Sequence, residues 1–159
     1  MPIRPETVSF LGKQLFAAPV RAGRDGEQLD NKVAAALTAM EAHDTPQTRV
    51  GLIAALREAG RYRMAIARST AGLRRWPNDA TLLTERGHTY VNVRAIGAAL
   101  ADLEEAVRLA PRSTEAWYHL GLALWFSQRY DNAARAFAKT AEVTPSASTR
   151  LAARTWQYT

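Results

Sequence analysis

The chain has 159 residues, 47% of them apolar, and a formal net charge of +6. That length and apolar share fit one domain with a real core and exclude the low-hydrophobicity signature of disorder. There is no cysteine for disulfide or thiolate chemistry, and no apolar run approaches the roughly 18 residues of a membrane-spanning helix.

In chain order, residues 1–27 hold Pro2, Pro5, Pro19, Gly23 and Gly26, which predict an extended arm with a turn of helix at 7–17. Pro2, Pro5 and Glu6 interrupt the clean apolar stretch of a signal peptide, so the N-terminus reads as unprocessed and the expected compartment is the cytoplasm. Residues 28–43, QLDNKVAAALTAMEAH, place Leu29, Val33, Leu37 and Met40 at helical spacing. They predict a flanking helix within 28–45, which Asp44-Thr45-Pro46 closes while opening the next element.

From there the chain repeats. Pro77, Pro111 and Pro145 stand 34 residues apart. At the same interval Ala65, Ala99 and Ala133 align, as do Leu56, Tyr90 and Leu124, and Tyr62, Ile96 and Tyr130; Gly87 pairs with Gly121, and Leu52 with Leu120 in the unit beyond. In the last unit Trp117, Leu120, Gly121 and Leu124 share one helix face, and Tyr130, Ala133, Ala134, Phe137 and Ala141 share another. Ser127-Gln128-Arg129 is the polar turn between them, and Thr144-Pro145 ends the second helix. Small residues at Gly121 and Ala133 allow close antiparallel approach. Trp117, Tyr130 and Phe137 are expected to point into the stack. Such a helix hairpin cannot bury its apolar face without a neighbour.

Trp117, Leu120, Gly121, Ala133, Phe137 and Pro145 meet the pattern W-x2-L-G-x2-Y…A-x3-F…P with only Leu124 replacing the aromatic, so the chain resembles the tetratricopeptide repeat family. The middle unit, 80–113, keeps Leu83, Gly87, Tyr90, Ala99, Leu103, Ala106 and Pro111, with Arg86 where leucine is usual. The first, 46–79, departs further: Arg49 stands at the tryptophan position, Ile53 at the glycine, and Ser69 and Gly72 replace larger residues or better helix formers. The resemblance implies an all-α solenoid of three hairpins (46–79, 80–113, 114–146) with an N-terminal flanking helix and a C-terminal capping half-repeat at 147–159. The segment TVSFLGKQLF resembles a leader of some bacterial members of unassigned role.

In this family the first helix of each hairpin lines a concave groove. Carried over by position, the groove receives Val50, Ala54, Arg57 and Glu58, then Thr84, Glu85, His88, Val91 and Asn92, then Glu115, Tyr118, His119, Leu122, Trp125 and Phe126. Tyr118, Leu122 and Trp125 share a face distinct from that of Trp117. The expected ligand-binding residues are Tyr118, Leu122, Trp125 and Phe126 as apolar anchors, with Arg57, Glu85, His88, Asn92 and His119 setting polar register; the alternative is that Trp125 and Phe126 seat the C-terminal helix and its Trp156. The Lys and Asn clamp with which some members hold chaperone C-termini is absent: Val50, Ala54, Glu115 and His119 occupy its places.

Other chemistry finds little support. Glu85 and His88 have the E-x-x-H spacing of carboxylate-bridged metal bundles, and His119 is expected to lie near His88, but no second such motif or further Glu ligand accompanies them. No nucleophile elbow, phosphate-binding glycine loop or HExxH motif is present. No metal, cofactor or catalytic residue is therefore expected. Arg57, Arg61, Arg63, Arg68, Arg74 and Arg75 concentrate charge in the first hairpin and raise nucleic-acid binding as a weaker alternative. The main expectation is a non-catalytic scaffold or adaptor for a protein or peptide partner. The rival is self-assembly through 147–159, whose ASTRLAARTWQY reads as the first helix of a fourth repeat.

Overall fold

A computed structural model describes residues 24–144. Among these residues it contains seven helices and no strand: α1 (Arg24–Ala42), α2 (Pro46–Glu58), α3 (Tyr62–Arg75), α4 (Ala80–Asn92), α5 (Ile96–Leu109), α6 (Thr114–Phe126) and α7 (Tyr130–Val143). Helix α1 takes in residues 24–27, which the proline and glycine pattern assigned to the arm. One glycine inside a helix costs only about 1 kcal/mol, too little to stop a helix anchored by buried Val33 and Met40. The rest of the expected arm and the half-repeat at 147–159 lie outside the described residues.

Each hairpin is built from the same local devices. Thr45, Asp79 and Ser113, spaced by 34, are N-caps whose side chains accept from the backbone N–H of Thr48, Leu82 and Ala116. The turn within each hairpin falls on Gly60, Arg94 and Gln128, also spaced by 34, with left-handed φ of 71°, 62° and 63°. The next residues, Arg61, Ala95 and Arg129, donate their backbone N–H to the carbonyls of Leu56, Tyr90 and Leu124 at 2.8, 2.9 and 2.9 Å. With Gly60, Arg94 and Gln128 donating to Arg57, Val91 and Trp125 at 2.9, 3.1 and 3.0 Å, this is the Schellman closure three times over. A Cβ at Gly60 would meet nothing within 4 Å, so its substitution tests the backbone alone. Gly60→Ala is expected to lower unfolding free energy by about 1 kcal/mol, read from the denaturant midpoint with an unchanged slope.

Glycine decides how closely the helices of a hairpin approach. A Cβ on Gly87 would lie 2.6 Å from the Leu103 side chain, and one on Gly121 2.6 Å from the Phe137 ring. The first hairpin reverses this arrangement. Ile53 occupies the glycine position and Ser69 the position of Leu103 and Phe137, and both are fully buried. The bulk has moved from the second helix to the first. The other departures in that unit are matched as well. Arg49 forks onto Asp44 (2.6 and 2.8 Å) and lies over the ring of Trp76, so the aromatic missing at 49 is supplied from the end of α3. In the middle unit Arg86 forks onto the buried Asp102 at 2.7 and 2.8 Å and donates to Thr70 at 3.1 Å.

Phe137 is buried as expected, and Trp117 is half-buried with its indole N–H donating to the Pro111 carbonyl at 2.9 Å. Tyr130 is not in the stack: it is 53% exposed and stands edge-on to Trp125 at 5.0 Å. As the first residue of α7 it lies where the chain has just left the turn, beyond the reach of the preceding helix pair.

Buried side chains form two clusters. One joins α1 to the first two hairpins and reaches Ala116 at the start of the third, and the other joins the second hairpin to the third; Val107 packs against both. Helices α2, α4 and α6 pack directly on one another, whereas α3, α5 and α7 share no comparable contact among the described residues. A stack whose first helices touch while its second helices spread is concave on the α2–α4–α6 side.

Candidate functional site

The concave side carries a continuous run of polar and aromatic side chains across three helices. Arg57, near the end of α2, is ion-paired with Glu85 of α4. One turn on from Glu85, His88 stacks on His119 of α6, with ring centroids 3.7 Å apart and planes at 22°. Tyr118 meets His119 edge-on at 5.3 Å and leans over the buried Phe137 at 6.0 Å. Five of the expected residues (Arg57, Glu85, His88, Tyr118 and His119) therefore form one connected row. They meet because each successive first helix is offset by one repeat, which sets position 88 of one unit against position 119 of the next.

The other four are placed differently. Leu122 and Trp125 are half-buried and pack on the second core cluster, so much of their surface already serves the fold. Asn92 is exposed at the end of α4. Phe126 is 41% exposed, and the Arg94 guanidinium lies 3.8 Å above its ring. Arg94 is thus a site-edge residue that sequence reasoning missed. Its equivalence to Gly60 marks a turn position, but nothing in a linear pattern says which ring a long side chain from that turn will cover.

The electrostatics of the row favour neutral imidazoles. Burial, with the Arg57 charge adding to it, lowers the His88 pKa from an ordinary 6.5 to about 4. Burial lowers that of His119 to about 3, with His88 and Arg57 contributing. His119 Nδ1 is buried without a hydrogen-bond partner among the described residues. Groups of this kind bind protons in the unfolded chain before the folded one, so their contribution is complete above about pH 6.5 and is lost as pH falls towards their folded values. Unfolding free energy is expected to fall on acidification below about pH 6.5, with a slope of at most about 1.4 kcal/mol per pH unit for each histidine, less for His88, which keeps some solvent contact. Denaturant midpoints between about pH 7.5 and about pH 5 check this; a flat profile there contradicts burial of neutral rings.

The arrangement can hold an extended chain or a helix face, and it offers little for metal chemistry. Stacked rings send their in-plane lone pairs side by side instead of towards one point. No group of three or more His, Asp or Glu among the described residues is spaced to hold an ion. Other cations lie on the second helices: Arg63, Arg68, Arg74 and Arg135, with Arg108 and Lys139 paired to Glu105 and Glu142.

Residues 114–146 match the tetratricopeptide repeat profile, in the unit with the most complete pattern. That unit is a tetratricopeptide repeat. Human tetratricopeptide repeat protein 12 is 25% identical over 156 residues, 92% of this chain. The chain spans only 22% of that relative's length. Among solved structures, YrrB, described as a tetratricopeptide protein with an unusual peptide-binding site, superposes with a TM-score of 0.65 at 16% identity, over 81% of this chain and 67% of its own. The second such domain of human RPAP3, solved with the HSP70 peptide SGPTIEEVD, superposes with a TM-score of 0.59 at 22% identity, over 66% of this chain and 85% of its own. At these identities the two structures bear on the fold: an all-α, tetratricopeptide-like helical solenoid. Among the described residues no helix is long and apolar enough to cross a membrane.

Proposed function

We propose that this tetratricopeptide solenoid is a non-catalytic scaffold that receives a peptide or partner helix along the α2–α4–α6 face. The observation that carries the reading is Tyr118. It is 37% exposed on the concave side, yet its ring rests on His119 and Phe137. An aromatic held in a fixed pose by buried neighbours loses little entropy when a partner covers it. Such rings are the usual carriers of interface energy. Leu122 and Trp125 extend the apolar strip, Phe126 under Arg94 closes one end, and Arg57, Glu85, His88, His119 and Asn92 supply the polar register. The related fold of RPAP3 holding a peptide supports the class of partner.

Partner chemistry is narrowed by charge. Arg57 is already matched by Glu85, and Glu58 by Lys32 of α1, while Glu115 is an exposed acid on α6. The face therefore has no positive excess for a nucleic-acid backbone or an acidic tail, and apolar, mildly polar sequences suit it better. A random peptide library selected on the intact protein tests this. The peptides it enriches are expected to bind Tyr118→Ala about tenfold or more weakly, which corresponds to about 1.4 kcal/mol or more for a buried aromatic anchor. Unchanged affinity on that variant assigns the binding surface elsewhere.

A further inference from the structure

The geometry points to a second property of the same face: the His88–His119 stack is a proton-operated latch between α4 and α6, closed when both rings are neutral and parted when the stack takes up a proton. The inference concerns the face assigned above to partner binding but needs no partner, so either can fail without the other.

The stack is a direct side-chain link between the first helices of the second and third hairpins. Its centroid separation of 3.7 Å is van der Waals contact, attainable only while the rings do not repel. The charged and titratable groups facing it are few. From α2 comes Arg57, a fixed positive charge; from α4 itself, Glu85; from α6, Tyr118. The second-hairpin helix α5 and the preceding α3 turn Asp102 and Thr70 towards α4, but both are joined to Arg86 on another face. From α7 the neighbour is the apolar Phe137, beneath Tyr118. Glu85, one turn before His88, is already paired with Arg57, and Glu115, one turn before His119 on α6, is exposed to solvent.

A proton added to either ring meets the fixed Arg57 charge, which opposes it. An imidazolium also needs acceptors for both of its N–H groups. His119 Nδ1 is buried with no acceptor beside it among the described residues. His88, the less deeply buried ring, takes the first proton and must then move towards water, which breaks the stack. His119 loses its ring partner and Tyr118 loses the edge against which it is held. Acidification thus loosens the α4–α6 seam and the exposed aromatic together, while the α2–α3 hairpin, which carries no such ring pair, keeps its protection.

Amide hydrogen exchange on the full chain, corrected for the intrinsic pH dependence, tests this between about pH 7 and about pH 4.5. The expected result is a loss of protection on α4 and α6 of about tenfold or more relative to α2 and α3. In His88→Phe/His119→Phe, which keeps a ring pair without a titrating nitrogen, the two regions should respond equally. Equal loss of protection in all helices of the wild-type chain means global unfolding and overturns the inference, as does protection of α4 and α6 that does not change with pH. Should the double variant not fold, the comparison of α4 and α6 with α2 and α3 in the wild-type chain decides alone.

Discussion

Asp102→Ala is expected to remove about 3–5 kcal/mol of unfolding free energy, among the largest single effects in the molecule. The carboxylate is buried at the centre of the stack and accepts both arms of the Arg86 fork. Removing it leaves a guanidinium that cannot lose its charge against an apolar seam, with the Thr70 hydroxyl and the Tyr90 ring, 5.9 Å from it, as its remaining partners. Reducing the pair to neither charge is a different matter. Thirty-four residues further on, the same two positions are Leu120 and Ala136, both buried in a normally packed hairpin. Arg86→Leu/Asp102→Ala therefore installs a combination this fold already uses. It is expected to lie within about 1 kcal/mol of wild type, because replacing a buried ion pair by packed apolar groups is often neutral or better. Chemical denaturation of the wild type, both single variants and the double closes the cycle. A single variant that loses less than about 1 kcal/mol would mean that water reaches the pair.

How much of this was legible beforehand differs by kind of residue. The 34-residue period, the hairpins and their order were open to reading, because Pro77, Pro111, Gly87, Gly121 and the alanine columns are local requirements of turns and close helix approach. The His88–His119 contact was also within reach, since both positions lie on first helices one repeat apart. What escaped were pairings made by long or small side chains across helices. Arg86 looked like a flaw in a leucine column until Asp102 was seen beneath it. Arg49 looked like a lost tryptophan until Trp76 appeared beside it. Tyr130 matched the column of Tyr62 and Ile96 in sequence, yet it sits at the first position of α7, where the helix has barely entered the stack. Leu122 and Trp125 sit on the groove side by helical spacing, but the depth of their burial depends on how far Phe137 and its neighbours fill the seam, which no spacing rule encodes.

The exchange of bulk in the first hairpin carries a prediction that separates a degraded repeat from a re-engineered one. If Ile53 with Ser69 is an alternative solution to the packing of Gly121 with Phe137, it should be transferable as a pair and not by halves. Gly121→Ile alone places its Cβ 2.6 Å from the Phe137 ring, with further carbons beyond it. It is expected to cost about 3 kcal/mol or more by overpacking. Phe137→Ser alone empties the largest fully buried side chain of the described residues and is expected to cost about 3–5 kcal/mol. Gly121→Ile/Phe137→Ser roughly conserves the combined volume, and volume-conserving exchange is the kind that cores tolerate. The double variant is expected to recover at least about 2 kcal/mol relative to the sum of the singles, a coupling within the range of contacting residues. Additive losses would mean that the backbones of the first and third hairpins differ in spacing and that Ile53 and Ser69 do not compensate each other. Strong coupling would make helix separation, not residue identity, the property that all three repeats hold in common, and would explain how Arg49, Ile53 and Ser69 persist in a unit that still stacks on its neighbours.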